Sequence, residues 1–154
     1  MDAAAMHDLF QVHRDAEAVR DFDAIIDTFS DDCYLETAAL GTRSEGREAA
    51  RAAYEAYFTA FPDLSPEDVG FAYGDDVLVS WGHLNGTSKG EWLGVPPGGG
   101  SFHVPFTNVT TFTGGRMRGE TIYFDLAILC EQAGVPLEDL RAAAAARRVS
   151  ERPR

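Results

Sequence analysis

Apolar residues in the first third of the chain recur with helical spacing. Met6, Leu9, Phe10, Val12, Ala16 and Val19 share one side of a helix predicted over residues 6–20. Phe22, Ile25, Ile26 and Phe29 do the same for a shorter helix at about 21–30. Residues 33–37, CYLET, read as a short strand leading into a Gly/Ser-containing loop at 41–46. A third helix, GREAARAAYEAYFTAF, follows and stops at Phe61-Pro62, because a residue preceding proline is pushed out of the α region.

From Ser65 the period changes from 3.6 to 2. EDVGFAY and DVLVSWGHL are strands joined at Gly74-Asp75, and EWLGVPP is a further strand or strand edge before Gly98-Gly99-Gly100. SFHVPFTNVTTFT and RMRGETIYFD then flank Gly114-Gly115. A glycine pair between two β-rich runs signals a two-residue hairpin, since both central positions need positive φ.

If Thr113 pairs with Arg116, alternation sets Val104, Phe106, Asn108, Thr110 and Phe112 on one face with Met117, Gly119, Thr121, Tyr123 and Asp125. The other face carries Arg118 and Glu120. The first face is mostly apolar and is expected to point inward, which takes Asp125 into the interior.

Helices followed by a run of antiparallel strands define an α+β fold. The expected form is a strongly curved antiparallel or mixed sheet, a cone around a pocket, with the three N-terminal helices packed on its concave face. Residues 1–140 are expected to form one domain. PLEDLRAAAAARRVSERPR supplies a fraying surface helix, and 141–154 an Ala/Arg-rich tail.

Composition narrows the range of partners. The formal net charge is −12, and five of thirteen basic residues, Arg141, Arg147, Arg148, Arg152 and Arg154, lie in the tail. Phosphate backbones need clustered Lys and Arg, so no nucleic-acid partner is expected, and no anionic membrane for the same reason. The start, MDAAAMHDLF, lacks a signal-peptide pattern and no later run reaches transmembrane length, which predicts a cytoplasmic protein. Cys33 and Cys130 read as buried small hydrophobes.

The candidate chemistry starts from Asp125. An acid among Val104, Phe106, Tyr123, Leu126 and Ile128 either finds donors or has its pKa raised, and is then a candidate proton donor or acceptor. The competing reading is that Asp125 caps the 128–133 turn or pairs with an arginine. His83 shares a strand face with Val77, Val79 and Trp81 and could orient the carboxylate or polarise a carbonyl; it could equally be a solvated structural residue. Tyr123 and Asn108, on the face of Asp125, are possible donors to an enolate oxygen, or satisfy each other in the core.

Among the aromatic residues, Tyr34, Trp81, Phe106, Trp92 and Phe58 are the expected wall of an apolar substrate pocket, with Trp92 and the 94–100 loop as a glycine-hinged lid. His103 falls on the opposite face from Asp125, and His7 and His13 have no identifiable partner. The histidines make no metal-ligand spacing, so no metal is expected. There is no GxSxG elbow, P-loop or GxGxxG after a strand.

FPDL at 61–64, GDDVLVSW at 74–81, NGTSKGEWLGVPPGG at 85–99 and GETIYFDLAILCEQAG at 119–134 resemble the SnoaL-like polyketide cyclases, within the nuclear-transport-factor-two-like superfamily. The resemblance spans roughly residues 15–135. It implies a homodimer and cofactor-free ring closure by intramolecular aldol condensation on a small hydrophobic, polyketide-like molecule. It also implies that Asp125, in YFD, is the acid/base. The chain departs from the family pattern at Ser88 and Tyr123, where histidines are usual, and at Gly98-Gly99, where the pattern is threonine-glycine. In the related ketosteroid isomerases an aspartate base follows the first strand; here the matching segment is Glu36-Thr37, which disfavours that mechanism.

Two alternatives accompany this reading. Epoxide hydrolysis or a related ring opening or isomerisation would need a second carboxylate and an arginine inside the cavity, and the strand count places none there. The non-catalytic alternative is a small-molecule-binding dimer on the same fold.

Overall fold

The computed structural model describes residues 1–150. Three helices open the chain: α1 (Ala3–Val19), α2 (Phe22–Asp27) and, after two strands, α3 (Arg47–Ala60). Short polar residues set their starts. Asp2 accepts from Ala5 N at 2.8 Å and Asp21 from Ala24 N at 3.0 Å, each satisfying an amide that the first helical turn leaves free. Arg20 ends α1 in the left-handed region and α3 stops at Ala60, just before Phe61-Pro62.

Strands β1 (Phe29–Thr37), β2 (Thr42–Glu45), β3 (Ser65–Gly74), β4 (Val77–Thr87), β5 (Ser101–Thr113) and β6 (Arg116–Phe124) form one sheet in the order β2-β1-β6-β5-β4-β3. The β1–β6 pair is parallel and the others antiparallel. This is the expected mixed α+β sheet, with a strand, β2, where a loop was expected. Its sequence, TRSE, is too short and polar to signal a strand, and it is made one by pairing with β1.

Two departures decide which acid is buried. Thr113 pairs with Arg116 and Phe112 with Met117 as the count requires, but Thr111 then pairs with Gly119, leaving Arg118 as a β-bulge. One extra residue exchanges the faces of everything after it. Glu120, Ile122 and Phe124 therefore point inward, and Tyr123 points out.

The second departure is that β6 ends at Phe124. Asp125 is the N-cap of α4 (Leu126–Ala133), accepting from Ala127 N at 2.9 Å and Ile128 N at 3.1 Å, and is exposed. The expectation of a buried Asp125 is corrected; the competing capping reading describes what it does.

The final helix, α5 (Leu137–Ser150), does not lie loosely on the surface. Leu140 and Ala144 are buried in an apolar cluster with Phe61, Phe106 and Leu129. The expected domain boundary at 140 falls inside this helix, and residues 151–154 of the expected tail, with Arg152 and Arg154, lie outside the described residues. No helix among the described residues is long and apolar enough to cross a membrane.

The segment expected as a strand at 91–97 makes one bridge, between Trp92 and Val95. Around it the loop is tied down. Lys89 N and Gly90 N donate to Ala60 O, Ser88 N to Gly100 O, and Gly100 N to Ala133 O, each at 2.9–3.0 Å. A Cβ at Gly98 or Gly100 would lie 2.2–2.3 Å from the backbone oxygens of α4's last turn. These glycines permit close backbone packing, so the hinged-lid expectation is corrected for this end of the loop.

Candidate functional site

Along the inner face of β5 the side chains run Phe102, Val104, Phe106, Asn108, Thr110, Phe112, a polar pair between apolar stretches. That pair marks the junction of two apolar clusters. One gathers the helical layer with Phe112 and Met117; the other gathers Phe61, Trp92, Phe106 and α4 and α5. A cavity opens at the junction. Phe58, Phe61, Trp92, Phe102, Phe106 and Ile122 give it apolar walls, and Arg14, Glu17, Tyr54, Asn108 and Glu120 make its polar end.

The polar groups arrive from several elements. His13 and Glu17 are one helical turn apart on α1 and face the sheet with Arg14; Tyr54 comes from α3, Asp68 from β3 and Glu120 from β6. Glu120 is 3% exposed. Its Oε1 accepts from Asn108 Nδ2 at 2.6 Å and, more weakly, from Thr110 Oγ1 at 3.4 Å. Its Oε2 accepts from the Tyr54 hydroxyl at 2.6 Å. Arg14 donates to Glu17 at 2.8 Å and to Asp68 at 3.1 Å.

Hydrogen-bond logic fixes the charge on His13. The Thr28 hydroxyl donates to Ile25 O at 2.6 Å, so its oxygen is left to accept from His13 Nδ1 at 2.9 Å. The Tyr54 hydroxyl spends its single proton on Glu120, so its oxygen accepts from His13 Nε2 at 3.0 Å. Both ring nitrogens are donors, which makes the ring an imidazolium.

Electrostatics agrees. Burial lowers the His13 pKa, but the charges of Glu120 and then Glu17, with Nε2 3.5 and 3.4 Å from their nearest oxygens, outweigh it and bring it to about 9. Burial would raise the Glu120 carboxyl, but the charge and hydrogen bond of His13, then Arg14 and Tyr54, hold it well below the usual carboxylate range. Burial likewise opposes the ionisation of Glu17, and Arg14 and His13 reverse that. Tyr54 is pushed up, first by burial and then by Glu120, and stays a neutral donor.

Three potential metal-ligand atoms, on His13, Glu17 and Glu120, lie within 4.8 Å of one another. The Tyr54 hydroxyl already lies on His13 Nε2, the position a metal ion would need. A proton on Nε2 satisfies the observed contacts as they stand.

The structure brings some expected residues to this cavity and not others. Asn108, Phe106, Trp92 and Phe58 line it; Trp92 packs edge-on to Phe61 with ring centroids 5.0 Å apart. His83 does share a face with Val77, Val79 and Trp81, but that face is the outer one, where His83 stacks on His103 at 4.3 Å. Trp81 is 42% and Tyr123 49% exposed there, flanking Thr107 across paired strands. Tyr34 is also on the outer side, over Gly119 and beneath the Arg43 guanidinium, 3.8 Å from the ring centre. His83, Tyr123, Trp81 and Tyr34 are thereby corrected as cavity residues.

His13, Arg14, Glu17, Tyr54 and Glu120 were not anticipated. The available signal was the His13/Glu17 spacing of four on a helix whose other buried positions, Met6, Phe10 and Ala16, are apolar.

A single α+β sheet with helices on its concave side and a charged, buried cluster at the end of an apolar cavity defines a fold of the ketosteroid-isomerase-like, nuclear-transport-factor-two-like kind. The chain belongs to the SnoaL-like polyketide cyclase family, whose profile matches residues 7–133. A protein from Jannaschia sp. CCS1 named for the same family superposes with a TM-score of 0.78 at 23% identity, over 86% of this chain and 94% of that one. TsrD from Streptomyces laurentii gives 0.74 at 22%, over 87% and 98%. A protein of ketosteroid-isomerase-like fold from Catenulispora acidiphila, solved with trimethylamine, gives 0.72 at 18%, over 84% and 95%. At such identities the likeness is one of fold. No curated protein matches the chain.

Proposed function

We propose that the protein is an acid/base enzyme acting on a small hydrophobic, oxygenated, polyketide-like molecule, with Glu120 in the role expected of Asp125. The observation that carries this reading is one ionised carboxylate, 3% exposed, at the inner end of an apolar cavity. The reaction is cofactor-independent cyclisation of the aldol type. Glu120 takes a proton from a carbon next to a carbonyl, the enolate attacks a second carbonyl, and the alkoxide formed recovers the proton from Glu120.

His13 makes Glu120 a weak base at rest, which sets the electrostatic problem. Once the proton has moved, the negative charge is on the ligand, and the fixed charges of His13 and Arg14 act on that anion instead. Asn108 and Tyr54 already donate to Glu120. Stabilising the enolate therefore falls to the positive charge of Arg14, which lines the cavity, rather than to a hydrogen bond from Asn108 or Tyr123.

A second reading, hydrolytic ring opening, gains from a specific observation: a second carboxylate, Glu17, and an arginine, Arg14, stand on the cavity wall beside Glu120. There Glu120 would deprotonate water. The homodimer implied by the family belongs to the same proposal, with Trp81 and Tyr123 as exposed aromatic surface for it, and sedimentation velocity tests it.

The main test uses a panel of 1,3-diketone polyketide analogues in deuterated water. The expected result is enzyme-dependent deuterium exchange at the acidic carbon, lost in Glu120→Gln and kept in Asp125→Asn. Exchange that survives Glu120→Gln would remove Glu120 from the chemistry; ligand binding without exchange or turnover would leave a binding protein. Solvent oxygen-18 in the product would select ring opening over aldol closure.

A further inference from the structure

Asn108 is 2% exposed at the polar end of the cavity, and its amide is only half used. Nδ2 donates to Glu120 Oε1 at 2.6 Å, and this fixes the orientation of the amide, because the flipped form would set oxygen against a carboxylate oxygen. Oδ1 then faces away from Glu120, and it has no partner. A buried amide oxygen left unpaired forfeits the solvation it had in water.

The nearby donors are committed elsewhere. The single proton of Tyr54 goes to Glu120, the Thr110 hydroxyl lies 3.4 Å from the same carboxylate, and Arg14 is divided between Glu17 and Asp68. Ser80, directly opposite Asn108 in the β4–β5 pair, has an unpartnered hydroxyl of its own, with no bond between the two. Asn108, a residue of the cavity's polar end, thus holds a buried acceptor without a partner beside an ionised carboxylate.

Resting on the reading of this cavity as the substrate site, we infer that it selects ligands that lead with a hydroxyl donor on an apolar ring, a phenol or enol, over the corresponding ether or ketone. The hydroxyl donates to Asn108 Oδ1 and the ring takes up the aromatic wall. In the proposed cyclisation this recognises the enol or phenol form of the substrate. An ether offers that oxygen no donor.

The experiment is an NMR and calorimetric titration of the full chain with 4-ethylphenol and 4-ethylanisole at pH 7. Burial of the extra methyl alone favours the ether by a few-fold. The expected result is the reverse, with the phenol bound at least ten-fold more tightly, and Asn108→Leu erasing the preference while leaving the ether's affinity within two-fold. Equal binding, or an ether preference, in the unmodified protein overturns the inference and indicates that Ser80 and a water molecule serve Asn108. That outcome leaves the acid/base reading standing. Binding of neither overturns both. If Asn108→Leu does not fold, the affinity ratio in the unmodified protein decides alone.

Discussion

His13 and Glu120 are joined through one hydroxyl group: Tyr54 accepts from His13 Nε2 at 3.0 Å and donates to Glu120 Oε2 at 2.6 Å. The chain of polar contacts continues to Thr28 on one side and to Asn108 on the other. It draws residues from α1, α3, β5 and β6 into one network between two apolar clusters, so the helical layer is held to the sheet at the place where the cavity ends.

The pH dependence of stability follows from the sign of the shift. The His13 pKa in the folded chain is raised to about 9 from an ordinary 6.5. Its contribution is complete below pH 6.5 and is lost as pH rises through 9. The loss is on the order of 3 kcal/mol, at about 1.4 kcal/mol per unit. Glu120 is shifted the other way, so its contribution is present above the ordinary carboxylate pKa and fades as pH falls toward its folded value. Urea unfolding at pH 6 and pH 9.5 should show the alkaline loss, and Glu120→Gln should flatten it. A flat profile in the unmodified protein would contradict a charged His13.

Asp125→Ala tests the capping role on its own. Two amides of the first turn of α4 lose their acceptor, at a cost of about 1 kcal/mol, within the range of measured N-cap deletions. The pH slope and the diketone exchange should be unchanged, because Asp125 is absent from the cavity wall. Loss of exchange in this variant, with the fold intact, would restore the role given to Asp125 by family resemblance.

The sequence was legible where the signal was local. The three N-terminal helices, the Gly114-Gly115 turn and the first two pairs of the hairpin follow from spacing and turn chemistry. The expectation of a buried Asp125 was wrong, and Glu120, expected on the outward face, is the acid that β6 buries. Alternation carries an error of one residue to every later position, and nothing in RMRGE announces that Arg118 will bulge. The polar cluster was illegible for another reason: its members are 13, 54, 68, 108 and 120 in the chain, and only the sheet order makes them neighbours. On β4 the grouping of His83 with Trp81 was read correctly, but periodicity does not say which face is inside when both carry apolar residues, Val77, Val79 and Trp81 on one and Leu78 and Leu84 on the other.

Gly98 offers a check on the loop that closes against α4. A Cβ there would meet backbone oxygen at 2.3 Å, and backbone cannot rotate away as a side chain can. Gly98→Ala is expected to destabilise by about 2 kcal/mol, as overpacking does. Gly94→Ala, with open space around it but φ at +82°, should cost about 1 kcal/mol from backbone strain alone. Thermal unfolding of the two variants orders them; equal or reversed losses would mean that the loop moves freely at Gly98.

Tyr54→Phe separates the bridging hydroxyl from the charges it joins. The ring should keep its place, edge-on to His13, tilted against Phe29 and stacked on Phe58 with centroids 5.8, 6.4 and 6.2 Å away. Glu120 Oε2 loses its shortest donor, and the variant should lose about 2 kcal/mol, as a buried acceptor left short of a partner does. His13 should remain charged at pH 7, since the carboxylates of Glu17 and Glu120 stay 3.4 and 3.5 Å from Nε2 and can take its proton directly. Nitrogen-15 spectra of the imidazole should therefore show two protonated nitrogens in Tyr54→Phe, and one in Glu120→Gln if Glu120 supplies the larger share of the field. A neutral ring in Tyr54→Phe would mean that the hydroxyl, and not the paired carboxylates, maintains the charge at the end of the cavity.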